Sequence, residues 1–309
     1  MSAQQIISSN PYYDESWYER LQVKPECSFG VSRCGDCQFV FSSQVPGDEF
    51  LDKIYGSSGS LESGIAVFTR PARAAFAYHS YATLLDAIAV HMQKDDRGVV
   101  AEKVKILDIG CAFGTGSLGL AVEGYPYEVF GVEWSQATRD YLAKQGMHTH
   151  KTLDEVDSTL KFDGIILNDV LEHVPDPVVF VSKLANHCHK NTAIWVNVPD
   201  FIEWRLNDIL AQMSEGSMNV PTDMNPWEHL SYFTPQSLTN LMAGAGFKRW
   251  DKPHVDYKIS RGSFLNTIKS ALRTLRDSWR IYKGSYPNDY QTSGIFLPAD
   301  NLESPGKSQ

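Results

Sequence analysis

Between Val104 and Trp250, short solid apolar runs alternate with stretches in which apolar residues recur every three or four positions. Solid runs bounded by turn formers suit strands buried on both faces, and their alternation with helical periods is the pattern of βαβ units around a parallel sheet. The pattern predicts strands near 104–109, 127–132, 148–150, 162–168, 192–197 and 246–250, with helices near 115–123, 135–145, 177–189 and 235–244. Upstream, Pro71 opens a stripe of Tyr78, Tyr81, Leu85, Ile88 and Met92 at helical spacing, closed by the polar run 94–98. Downstream, Leu265, Ile268, Leu272, Leu275, Trp279 and Tyr282 form a second stripe, flanked by Lys269, Arg273, Arg276, Arg280 and Lys283. The expected architecture is α/β, a doubly wound and mostly parallel seven-stranded sheet over 66–260. A small irregular cysteine-containing module over 1–65 precedes it, and a basic amphipathic helix with a loosely held tail over 261–309 follows.

Composition narrows the class. The 309 residues are 42% hydrophobic and 21% charged, ordinary globular values that need no covalent staples. A net charge of -9 argues against a general nucleic-acid binder, since phosphate contacts draw on a surplus of Lys and Arg. Cys27, Cys34, Cys37, Cys111 and Cys188 make an odd count without disulfide spacing, and neither a leader pattern nor a run of 18 apolar residues is visible. A reducing cytoplasm is the expected setting.

The loop after the first strand admits two frames. Gly114-Thr-Gly116-Ser-Leu-Gly119 matches the dinucleotide pattern G-x-G-x-x-G, and Glu133 stands 19 positions after Gly114, where a ribose-binding acid is sought. That pattern wants its first glycine directly off the strand, so that pyrophosphate meets a helix N-terminus. Here the strand ends at Gly110, and Cys-Ala-Phe intervenes before Gly114. The frame that remains is Asp108-x-Gly110-x-x-x-Gly114, which resembles motif I of class I S-adenosylmethionine-dependent methyltransferases, with Ala112 in place of a middle glycine. The resemblance implies a cofactor site in which Asp108 anchors the methionine end and the backbone of Gly110, Cys111, Ala112 and Gly114 lines the ligand. Glu133 would accept from the ribose hydroxyls, and Trp134 would pack on adenine. Cys111 also reads as a buried small hydrophobe.

A second segment, Phe162-Asp-Gly-Ile-Ile-Leu-Asn-Asp-Val-Leu-Glu-His-Val-Pro-Asp-Pro177, resembles the fourth strand and following loop of the branch that modifies small molecules and sugars. It delivers Asn168 and Asp169 to the carboxyl edge of the sheet, where such folds bind ligands. Methylating a hydroxyl needs a base, and His173 qualifies, although a loop tether is an equal reading of it. Asp169, Glu172 and His173 also offer two carboxylates and an imidazole for a divalent metal, three ligands that do not by themselves make a site. Asn225-Pro-Trp-Glu-His-Leu-Ser-Tyr-Phe-Thr234 resembles a segment of sugar methyltransferases whose Glu-His pair lies in the acceptor pocket, which nominates Glu228 and His229. Pro226 departs from that group, which favours O-methylation over C-methylation. The expected acceptor is a sugar, nucleotide-sugar or other polar small molecule. A noncatalytic cofactor- or nucleotide-binding module and a C- or N-methyltransferase remain as alternatives.

Ser32-Arg-Cys-Gly-Asp-Cys-Gln-Phe-Val-Phe41 resembles one knuckle of a small zinc ribbon. With only Cys27 upstream of Cys34 and Cys37, the ligand count falls short of a structural site, so a degenerate knuckle without metal is expected. The 265–282 stripe reads as a helix packed on the domain or a second subunit. A membrane surface or an acidic partner is its other reading, and no transmembrane segment is expected.

Overall fold

The computed structural model describes residues 2–7, 19, 28–55, 84, 88, 104–114, 117, 127–201, 207, 211, 228–250 and 291–299. The helix expected near 115–123 (apart from Ser117), the 265–282 stripe and Cys27 lie outside these, as does the upstream stripe apart from Ile88.

Eleven strands are present among the described residues: β1 (Ser2–Ile7), β2 (Ser28–Arg33), β3 (Val40–Ser42), β4 (Val104–Ile109), β5 (Tyr127–Val132), β6 (His148–His150), β7 (Phe162–Asn168), β8 (Cys188–Pro199), β9 (Ser231–Tyr232), β10 (Phe247–Arg249) and β11 (Gln291–Pro298). Helices α1 (Asp48–Tyr55), α2 (Gln136–Lys144), α3 (Pro177–Ala185) and α4 (Pro235–Gly244) accompany them. The main sheet runs β10-β11-β8-β7-β4-β5-β6. Pairings from β8 through β6 are parallel, whereas β11 is antiparallel to both of its neighbours. This is the expected seven-stranded, mostly parallel sheet. Its order reverses at β4, so the carboxyl ends of β4 and β7 flank the crevice where such sheets take ligands.

Both faces are covered, and successive residues serve opposite sides. Leu107, Ile165, Leu167, Ile194 and Val196 pack with Val181 and Leu184 of α3 and Leu238 and Met242 of α4. Ile106, Ile166 and Trp195 pack on the other side with Leu84 and Ile88, which are helical and four positions apart. A Cβ on Gly164 would meet Ile88 Cδ1 at 2.7 Å and Ile106 Cδ1 at 2.8 Å, so glycine lets that helix approach the sheet closely.

Two sequence expectations are corrected. The helix expected to reach 189 stops at Ala185, and β8 begins at Cys188 instead of 192. The backbone is recruited to the sheet there: Phe162 N–H donates to His187 O at 3.0 Å, and Phe162 pairs with Cys188. Part of the supposed loose tail is β11, whose Ile295, Phe296 and Leu297 are buried. The open edge of β8 selects this segment, a tertiary demand that a three-residue apolar run among polar neighbours does not announce.

The N-terminal strands form a four-stranded antiparallel sheet, β1-β2-β3-β9. Its fourth strand comes from the middle of the chain, with Val40 opposite Tyr232 and Phe41 opposite Ser231. The module is therefore stitched to the larger domain directly beside His229.

Candidate functional site

The loop after β4 is shaped by backbone strain that glycine relieves. Gly110 and Gly114 adopt φ of 66° and 63°, and Ala112 between them is held at 44°. A Cβ on Gly110 would meet Val170 Cγ2 at 2.8 Å, so this loop abuts the loop that follows β7. Asp108 is 3% exposed at the end of β4. Burial pushes its carboxyl up to about 7, the Ser117 hydroxyl pulls back, and the charge of Glu133 adds to the rise. The Cys111 side chain turns inward against Val129, Leu142 and Met147, and burial raises its thiol, so only its backbone is placed to meet a ligand.

Glu133 follows β5 and is pinned from both sides. Its Oε2 accepts from Ala112 N–H at 3.1 Å and its Oε1 from Ser135 N–H at 2.9 Å, which ties the loops after β4 and β5 together. Burial still raises this carboxyl, with the N–H groups and Arg139 opposing. Arg139 also donates to the carbonyls of Glu133 at 2.6 Å and Trp134 at 2.7 Å. Trp134 Nε1–H donates to Asp52 of α1 at 2.6 Å, and the Lys151 ammonium sits 4.3 Å from the centre of its ring. Asp52, Arg139 and Lys151 carry no motif that reveals them in the sequence.

Across the crevice, Asn168 and Asp169 end β7 as expected, joined by Asn197 from β8. Asn168 donates to Asp169 at 3.0 Å, and Asn197 donates to Asn168 at 3.2 Å and to Asp169 at 3.4 Å. Asp169 holds φ at 54°, and burial lifts its carboxyl to about 6. The next residues form a single 3-10 turn, Leu171–His173. His173 Nδ1 lies 2.9 Å from Glu228 O and 3.0 Å from the Tyr55 hydroxyl of α1. Its ring stacks edge-on with His229, centroids 4.8 Å apart. Leu230 N–H donates to Glu172 O at 2.6 Å, and Ser42 N–H to Leu230 O at 2.8 Å, so this strip is held by both the turn and the N-terminal sheet.

The structure thus joins the two histidines nominated from separate motifs. Among the described residues, one atom each of Glu172, His173 and His229 lies within 4.8 Å of the others. His229 thus stands with Glu172 and His173, while Asp169 accepts from Asn168 and Asn197. Burial pushes His173 down to about 3, with His229 contributing, and lifts the Glu172 carboxyl well above its ordinary range. In the knuckle, Cys34 and Cys37 flank a turn in which backbone N–H groups of Cys37 and Asp36 hold the Cys34 thiol below its usual value.

The residues at the cofactor edge fit S-adenosylmethionine. A carboxyl that burial has lifted to about 7 is relieved by a bound ammonium, and Asp108 is such a group. Glu133 keeps lone pairs for a ribose diol while its N–H contacts fix its position.

The curated ubiquinone biosynthesis O-methyltransferase of Rickettsia conorii is 29% identical over 94 residues, 29% of this chain and 32% of that protein. The chain thus spans about a third of the length of that curated relative. Among solved structures, PKMT2 of Rickettsia typhi in complex with AdoHcy is similar at 16% identity, over 72% of this chain and 54% of that one, with a TM-score of 0.46. An S-adenosylmethionine-dependent methyltransferase of Clostridium acetobutylicum is similar at 10% identity, over 78% and 100%, with a TM-score of 0.47. The sequence profile of a methyltransferase domain matches residues 73–252, which is more than half of the chain and takes in β4 through β10. This chain belongs to that methyltransferase domain family.

Proposed function

We propose that the protein transfers a methyl group from S-adenosylmethionine to a hydroxyl of a polar small molecule, with a sugar or nucleotide-sugar as the favoured acceptor class. The observation that carries this reading is the placing of two buried acids, Asp108 and Glu133, beside the glycine loop at the point where the sheet order reverses. Asp108 holds the ammonium end, the backbone from Gly110 to Gly114 lines the ligand, and Glu133 takes the ribose hydroxyls. The Trp134 ring, braced by Asp52 and Lys151, borders the adenine. When bound, the cofactor supplies a methyl on a positively charged sulfur. The acceptor oxygen gains that methyl, the sulfur keeps the bonding pair and leaves as a thioether, and the acceptor's proton must pass to the protein.

The group that meets this proton is built from Glu172, His173 and His229, with Glu228 contributing its carbonyl. Of the two nominated histidines, His173 is tethered through Nδ1 and made a weak base by burial, as its tether reading anticipates. The relative's name, an O-methyltransferase, supports oxygen over carbon as the methylated atom. The N-terminal module, a degenerate zinc-ribbon-like hairpin in this reading, covers the acceptor side through α1.

Calorimetry with adenosylhomocysteine tests the cofactor site: Glu133→Ala should weaken binding at least a hundredfold, and unchanged affinity would sink the assignment. Incubation with S-adenosylmethionine and either a uridine diphosphate hexose or catechol should yield adenosylhomocysteine. A noncatalytic module would bind adenosylhomocysteine but form none with any acceptor.

A further inference from the structure

We propose that Glu172, His173 and His229 hold a first-row divalent cation, Zn2+ or a close neighbour, with a position on the ion left open for an oxygen of the acceptor. The inference rests on the methyltransferase reading for what fills that open position. The cation site itself stands on the geometry of the three side chains.

Glu172 is 1% exposed, and neither of its carboxylate oxygens has a hydrogen-bond partner. A carboxylate is costly to bury unless something positive or hydrogen-bonding meets it, so this one points to a group that binds there. His173 does not meet that need in its neutral form. Its Nδ1 faces the carbonyl of Glu228 at 2.9 Å, which only accepts, so the ring proton sits on Nδ1 and Nε2 presents a lone pair. That Nε2 stands 3.8 Å from Glu172 Oε1, two acceptors turned toward one another. A hydroxyl carries one proton for this pair, whereas a cation draws on both lone pairs at once. A backbone carbonyl behind the far ring nitrogen is also how histidine ligands are commonly fixed in tautomer and direction.

His229 supplies the third donor. One ring nitrogen of it, one of His173 and a carboxylate oxygen of Glu172 all lie within 4.8 Å of one another. Ligands at about 2.0–2.2 Å from an ion stand roughly 3.3–3.6 Å apart at tetrahedral angles. The His173–Glu172 pair is a few tenths of an ångström wider than that, and a turn of the Glu172 carboxylate brings the group together. Two imidazoles and one carboxylate suit Zn2+ and its neighbours better than Mg2+ or Ca2+, which favour oxygen throughout. Three protein ligands also leave a coordination position vacant, as catalytic sites do and structural ones do not. The recess has a mouth: the His173 side chain is 24% exposed above the buried carboxylate. Its walls are braced, since Leu230 N–H donates to Glu172 O and Ser42 N–H to Leu230 O, which fixes His229 beside the turn.

The test uses the full chain, stripped of metal by chelation and carrying Cys34→Ser and Cys37→Ser so that the knuckle thiols take no ion. Calorimetric titration with zinc chloride should show one ion bound per chain. Glu172→Gln and His229→Gln should each weaken that binding at least a hundredfold and leave adenosylhomocysteine affinity within threefold, which shows the fold intact. Cobalt(II) in place of zinc should give visible absorption without a thiolate-to-metal charge-transfer band. On whichever of the uridine diphosphate hexose or catechol is turned over, chelation should lower kcat at least tenfold, and one equivalent of zinc should restore it. The proposal is overturned by the absence of zinc binding, by equal zinc affinity in both variants, by a thiolate band in the cobalt spectrum, or by a kcat indifferent to chelation. Adenosylhomocysteine failing to bind the unsubstituted chain would instead end the methyltransferase reading, a result independent of the zinc titration.

Discussion

Four acids near the crevice, Asp108, Glu133, Asp169 and Glu172, are all pushed above their ordinary values by burial. An acid whose value is raised on folding costs stability where it must ionise. For Asp108 that cost is absent below about pH 4, grows as pH rises, and is complete above about 7. The rise from 3.8 to about 7 caps the cost at roughly 4 kcal/mol. Asp108→Asn should therefore raise the melting temperature of the ligand-free protein at pH 8 and leave it nearly unchanged at pH 4, by scanning calorimetry. The same variant should lose adenosylhomocysteine binding by at least tenfold, because the ammonium then meets a neutral amide. A variant no more stable than the unsubstituted protein at pH 8 would contradict this electrostatic account.

At the scale of elements, α1 reaches both ends of the crevice. Asp52 takes the Trp134 N–H at the cofactor end, and Tyr55, one turn on, touches His173 at the acceptor end. The chain between α1 and these partners is long, with 82 residues from Asp52 to Trp134 and 118 from Tyr55 to His173, so no local pattern in DEFLDKIY reveals the contacts. The charge-assisted bond from Trp134 is exposed and its carboxylate is shared with Lys151 at 3.4 Å, which limits its worth to about 1 kcal/mol. Asp52→Ala should consequently weaken adenosylhomocysteine two- to fivefold and speed hydrogen exchange at the amides of 48–55. Equal exchange with and without the substitution would show that α1 is held by other contacts. Tyr55→Phe keeps the ring packing on His173, whose centroid lies 6.0 Å away, and so isolates the hydroxyl. Its expected mark is a shifted His173 side-chain resonance with cofactor affinity intact.

Across the whole molecule, legibility follows the range of the forces involved. β4, β5, β6 and β7 are named by their own side chains, and the structure finds them at the residues read from sequence. The turn after β4 is equally legible, because positive φ at Gly110 and Gly114 is a local demand that glycine answers. The meeting of His173 with His229 was not, since it depends on Leu230 bridging the turn and the N-terminal sheet. Nor was β11, which exists because β8 offers an open edge and β10 closes the far side. That dependence can be measured. Phe296 is wholly buried on the face that α3 and α4 cover, so Phe296→Ala should cost about 3–5 kcal/mol by urea unfolding. Ending the chain at 290 should do more, since it would leave β8 with unpaired backbone groups beside exposed apolar side chains, and the product should aggregate. If Phe296→Ala cost less than 1 kcal/mol, β11 would be a cover laid on a sheet already complete without it. The full expected loss would instead make β11 part of the core on which the crevice between β4 and β7 is built.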